Sequence, residues 1–108
     1  MLGIDVNKYE SLPAGRFYDL VLESETVVID VRSEGEVLSG KIQGALNFDV
    51  SSNRFVNQIE NLPKETTYLI YCRSGNRSVM ACQIMVELGF KNLKNLKYGL
   101  VAWPFGTV

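Results

Sequence analysis

The run Val27-Val28-Ile29-Asp30-Val31 limits the architectures open to this chain more than any other stretch. It is apolar without alternation, broken only by Asp30, and such a run marks a strand buried on both faces. Sheets covered on both faces are built from parallel strands joined by helical crossovers. Thr67-Tyr68-Leu69-Ile70-Tyr71, behind the turn at Pro63-Lys64-Glu65, is a second such strand by its aromatic and β-branched content. Helical spacing fills the intervals. Phe17, Leu20 and Val21 predict a helix over 16–23 that Ser24-Glu25-Thr26 ends, and Phe55, Ile59 and Leu62 predict another that Pro63 closes. Ala81, Ile84, Met85 and Leu88 line one face of a helix over 79–88, with Gly89 as its stop. A helical turn at Gly35–Ser39, a loop at Gly40–Gly44, short strands at Ala45–Phe48 and Leu93–Leu96, and a terminal turn at Gly99–Trp103 complete the reading. The alternation predicts an α/β fold, a small mostly parallel central sheet flanked by helices on both faces, in one domain over 1–108.

With 46% hydrophobic and 21% charged residues the chain has the composition of an ordinary soluble globular protein. A net charge of −1 offers no general attraction to nucleic acid or to an anionic membrane, and no apolar run is long enough to span a bilayer. The expected protein is a monomer with neither partner. There is no histidine, which removes Cys–His catalytic pairs and most zinc sites. Cys72 and Cys82 form no CxxC pattern, and nearly three helical turns between them argue against a disulfide. The opening, Met1 to Lys8, has no basic stretch followed by an apolar one, so no secretory signal is expected. Free thiols and a missing signal fit a reducing cytoplasm.

The chemistry concentrates in Cys72-Arg73-Ser74-Gly75-Asn76-Arg77-Ser78, a polar loop between the second strand and its helix. A structural cysteine sits among apolar neighbours; this one is followed by Arg, Ser, Gly, Asn, Arg and Ser. Loop N–H groups and the positive end of a helix dipole hold anions and stabilise a thiolate. Gly75 allows the tight backbone path. At neutral pH Cys72 is therefore expected to be largely thiolate without a histidine to take its proton.

Four residues separate Cys72 from Arg77. A cysteine-dependent phosphatase places one more there, making a cradle wide enough for a tetrahedral phosphoryl group, and no Asp general acid is evident here. The tighter loop suits a terminal sulfur atom.

The chain resembles the rhodanese family of sulfurtransferases in its single-domain form, most clearly over 27–104. Asp30-Val31-Arg32 resembles the family's Asp-x-Arg strand end, with Glu36 in place of its downstream glutamate. Gly40-Lys41-Ile42-Gln43-Gly44-Ala45 resembles Gly-His-Ile-Pro-Gly-Ala, and Cys72 to Ser78 the six-residue active loop and the start of its helix. Leu88-Gly89-Phe90 and Tyr98-Gly99-Leu100-Val101-Ala102-Trp103 resemble the closing motifs. Lys41, Gln43 and Tyr98 depart from it, replacing a histidine, a proline and the first of two glycines.

The resemblance implies a persulfide cycle on Cys72, taking sulfur from a small anionic donor such as thiosulfate and giving it to cyanide, a thiol or a protein, with no cofactor and no metal. The N–H groups of residues 73–77 would cradle the persulfide. Alternatives are a non-turnover sulfur carrier or docking module and, behind it, a cysteine phosphatase or arsenate reductase. Arg73 is expected to be exposed and to attract the anionic donor. Arg77 is expected to pin neighbouring loops while adding positive potential. Asp30 and Arg32 are supporting residues: Asp30 ends a buried strand and needs a partner, and Arg32 is expected to pair with Glu36 in the next turn. Cys82 and Trp103 are expected to be packing residues. Lys41 and Tyr98 are expected to form a rim beside Cys72.

Overall fold

The computed structural model describes residues 8–108; apart from Lys8, the opening stretch on which the signal-peptide expectation rests lies outside the described residues. Five strands, β1 (Glu10–Leu12), β2 (Thr26–Asp30), β3 (Leu46–Asn47), β4 (Thr67–Tyr71) and β5 (Asn92–Leu96), form one sheet in the order β1-β5-β4-β2-β3. Every pairing is parallel. The helices are α1 (Ala14–Val21), α2 (Glu34–Leu38), α3 (Phe55–Ile59) and α4 (Asn76–Glu87), followed by a 3-10 turn at Gly99–Ala102.

Successive residues of β4 feed opposite cores, as the two-residue strand period requires. Tyr68, Ile70 and then Cys72 pack with Phe55 and Ile59 of α3 and Ala81, Cys82 and Met85 of α4. Leu69 and Tyr71 pack on the other side with Phe17 of α1, Ile42 and Ala45, and Trp103 closes over them. The unbroken apolar character of β2 and β4 is the consequence of these two cores. Cys82 is fully buried and packed, as expected.

Several boundaries shift by a residue or two from the sequence expectation, and three differences have a clear cause. The edge strand β1 was not anticipated, because three residues, two of them exposed and polar, carry no periodic signal. The first helix starts at Ala14 because Pro13, extended at φ −66°, ends the strand path and leads straight into the first turn. The α4 helix starts three residues early, at Asn76, and its buried face is Ser78, Ala81, Cys82 and Met85, with Ile84 and Leu88 only half-buried. It stops as expected. Phe90 N–H donates to Met85 and Gly89 N–H to Val86, which satisfies the last carbonyls while Phe90 enters the core.

The strand order sets the place of the site. From β4 the chain runs to β5 on one side, and from its neighbour β2 it runs to β3 on the other. Loops leaving adjacent strands in opposite directions open a crevice at the strands' carboxyl ends. The loop after β4 begins with Cys72.

Candidate active site

Cys72 ends the β4 path and is 1% exposed. Its loop turns back through Gly75, which precedes α4 at φ 104° and ψ −12°, a conformation that glycine alone adopts without strain. That turn aims N–H groups at the sulfur: Gly75 N lies 3.0 Å and Ser78 N 3.4 Å from Cys72 Sγ. The Ser78 hydroxyl is 3.4 Å from the same sulfur and 3.1 Å from the Gly75 carbonyl; its one proton serves the carbonyl beside the thiol and turns to the sulfur when the thiolate forms. Burial works to raise the pKa of Cys72. The Ser78 hydroxyl and the N–H groups of Ser78, Gly75 and Ser74 outweigh it and bring the thiol below its ordinary value. For Cys82, burial first and the nearby Cys72 second push the thiol up to about 12. Both cysteines are free.

The donors to the sulfur are thus Gly75 and Ser78, with Ser74 adding to its electrostatics, where the sequence placed a cradle over 73–77. Ser78 was missed because a serine in the first turn of a helix gives no signal of facing inward; its i+3 spacing from Gly75 was the available clue.

The remaining loop residues divide by exposure. Arg73, Ser74 and Asn76 are exposed, and Arg73 makes no ion pair among the described residues. Arg77 is half-buried and forks onto Glu36, Nη1 to Oε1 at 2.8 Å and Nη2 to Oε2 at 2.9 Å. Its guanidinium pKa is raised by Glu36 first, with Cys72 and Asp49 adding to the effect. Glu36 is fixed in turn by a capping box: Ser33 N–H donates to Glu36 Oε1 at 3.2 Å, and Glu36 N–H to Ser33 Oγ at 3.3 Å. Arg77 therefore ties the first turn of α4, after β4, to α2, after β2, across the crevice.

Arg32 does not pair with Glu36. Ser33 lies extended before α2, so Arg32 is outside the helix and the i, i+4 geometry never forms. It folds back onto Asp30 instead, with Nη2 2.6 Å from Oδ2 and Nε 3.0 Å from Oδ1. The same Nη2 donates to the Gly40 carbonyl at 2.6 Å. Both residues are buried, and they lock the end of β2 to the 40–45 loop. Tyr71 reinforces this, accepting Ile42 N–H at 3.0 Å.

Lys41 makes its hydrogen bonds to Ala45 and Val108 and none to the cysteine loop among the described residues. Its backbone pairs with Val108 in both directions, and Nζ donates to the Ala45 carbonyl at 3.3 Å. Tyr98 does abut the loop. It precedes the 3-10 turn, which docks on the loop through Leu100 N–H to the Cys72 carbonyl and Val101 N–H to that of Arg73. Gly99 is required there, since a Cβ would lie 2.4 Å from the Arg73 oxygen. Among the described residues no cluster of three metal-ligating side chains occurs, and no helix is long and apolar enough to cross a membrane.

Residues 14–104 match the rhodanese-like domain. The chain is 32% identical over 79 residues to a sulfurtransferase of Allochromatium vinosum, covering 73% of this chain and 72% of that one. It is 36% identical over 85 residues to YtwF of Bacillus subtilis, covering 79% and 80%. The crystal structure of a rhodanese-related protein from Thermoplasma volcanium superposes with a TM-score of 0.78 at 27% identity, over 93% of this chain and 98% of that one. An all-parallel sheet, a cysteine at the head of its central loop and a match over most of the chain agree: this chain belongs to the rhodanese-like domain family.

Proposed function

We propose that the chain is a sulfurtransferase that carries sulfane sulfur as a persulfide on Cys72. The observation that carries the reading is the set of N–H donors converging on Cys72 Sγ from Gly75 and Ser78. Donors fixed before reaction stabilise a sulfur anion at no reorganisation cost. The same donors hold the resting thiolate, so no base is needed.

In the first step the Cys72 thiolate attacks the outer sulfur of thiosulfate. The Cys72–sulfur bond forms, the sulfur–sulfur bond of thiosulfate breaks, and sulfite leaves with the electron pair. In the second, cyanide, a thiolate or a protein thiolate attacks the terminal sulfur. Thiocyanate or the acceptor's persulfide leaves, and the Cys72 thiolate returns. No other oxidant or reductant takes part, and the covalent chemistry on cysteine calls for no cofactor. Arg73 draws in the anionic donor. Arg77 holds the loop's shape through Glu36, and Asp30 and Arg32 support the floor behind it. Two free thiols suit a reducing cytoplasm.

Thiocyanate release from thiosulfate and cyanide tests this assignment. Turnover that disappears in Cys72→Ser supports it. Release of nitrophenol from an aryl phosphate at a comparable rate would move the reading to a phosphatase, and a persulfide that forms without turning over would move it to a sulfur carrier.

A further inference from the structure

Tyr98 is the only non-glycine among the described residues with a positive φ, at 103°. A tyrosine gains nothing from that conformation, which glycine would adopt freely. Nor does the side chain repay the strain by packing, since Tyr98 is 61% exposed. Strain of this kind persists where it serves a site.

Its surroundings say which site. A Cβ on Gly75 would lie 3.5 Å from Tyr98 N, so the tyrosine backbone rests directly on the turn that holds Cys72. The neighbouring Val101, 70% exposed, hydrogen-bonds through its N–H to the Arg73 carbonyl. Lys97 Nζ stands 5.4 Å from the centre of the Tyr98 ring. Neither Lys97 nor Arg73 has an ion-pair partner among the described residues, and both are exposed. An exposed ring and an exposed aliphatic residue thus stand on the segment docked against the cysteine loop, with one unpaired cation, Lys97, beside the ring and another, Arg73, on the loop itself.

We propose that Tyr98, with Val101, Lys97 and Arg73, is the recognition surface for a protein-borne acceptor thiol whose flanking residues are acidic. The partner class follows from charge complementarity: free cations beside an exposed apolar pair select an extended segment with carboxylates and an apolar side chain. Tyrosine suits such a surface, offering a large rigid contact with few rotamers to freeze. Tyr98 is then a specificity-determining residue, outside the sulfur chemistry itself. The proposal rests on the sulfurtransferase reading for its meaning, and its test is separable from that reading.

The test is binding without transfer. A fluorescein-labelled peptide with serine in place of cysteine, flanked by glutamates and one leucine, is titrated with protein and followed by anisotropy; a lysine-flanked peptide is the control. Tyr98→Asn keeps a Cβ and tolerates positive φ while removing the ring, and Tyr98→Gly removes the strain as well. The wild type should bind the acidic peptide about tenfold tighter than the basic one, a preference that fades as salt rises. Both variants should lose about fivefold of acidic-peptide affinity while melting at the wild-type temperature or above. Persulfide loading from thiosulfate should be unchanged in both, and its failure in the wild type would count against the chemistry alone. Equal affinity of wild type and folded Tyr98→Asn for the acidic peptide, or no preference for acidic over basic, overturns the recognition surface.

Discussion

Arg77 of α4 and Glu36 of α2, 41 residues apart in the chain, meet as a two-pronged ion pair at 2.8 and 2.9 Å across the crevice at the strands' carboxyl ends. Both side chains are about a third exposed, at 32% and 34%. Water screens such a pair, so its loss resembles that of a surface bridge. Arg77→Ala should cost about 0.5–1 kcal/mol in urea unfolding at neutral pH. Its larger effect should be a looser active loop, seen as faster amide exchange at Gly75 and Ser78.

The same pair gives the fold an acid limit. The hydrogen bond from Arg77, helped by Ser33, lowers the Glu36 carboxyl from 4.5 to about 2. The unfolded chain then holds that proton more tightly than the folded one. The stabilisation is fully present above pH 4.5 and is lost as pH falls toward 2. Glu36→Gln should be less stable than wild type at neutral pH and should lose less further stability between those limits. Parallel acid-unfolding curves for the two proteins would contradict this.

Asp30 and Arg32 should behave differently, because both are buried. Removing one partner strands the other's charge in a low-dielectric interior. Arg32→Ala should cost about 3–5 kcal/mol in urea unfolding, several times the effect of Arg77→Ala. A cost as small as that of Arg77→Ala would show that water reaches the Asp30 carboxylate.

Ser78 is expected to tune the sulfur. Without its hydroxyl, Ser78→Ala should raise the Cys72 pKa and slow persulfide formation at neutral pH roughly tenfold or more. Stability should fall by only about 1 kcal/mol, since Gly75's carbonyl keeps Val79 N–H as a donor. Alkylation of Cys72 by iodoacetamide against pH reads the change directly. In the wild type the rate should already be high below the free-thiol value of about 8.5, while Cys82 stays unmodified.

Much of this was legible from sequence because β2 and β4 are covered on both sides, and that burial writes an uninterrupted apolar run. The loop beginning at Cys72 was legible for the converse reason: polar residues directly after a buried strand have no packing explanation. What escaped was local geometry. The β1 strand is too short and too exposed to carry a pattern. The pairing of Arg32 was misread because the i, i+4 rule holds only inside a helix, and Ser33 is the extended cap of a helix whose first residue is Glu34. The sequence Ser33-Glu34-Gly35-Glu36 has the spacing of a capping box, which fixes Glu36 in the first turn of α2 while its two oxygens also accept from Arg77. Tyr98 stands where the resemblance implies a glycine, and its φ is positive.

Intact mass after incubation with thiosulfate tests the central claim most directly. Wild type and Cys82→Ala should each gain one sulfur, lost on adding cyanide, with peptide mapping placing it on Cys72. Cys72→Ser should gain none. An added sulfur that persists in folded Cys72→Ser, or a wild type that never gains one, would contradict the persulfide on Cys72.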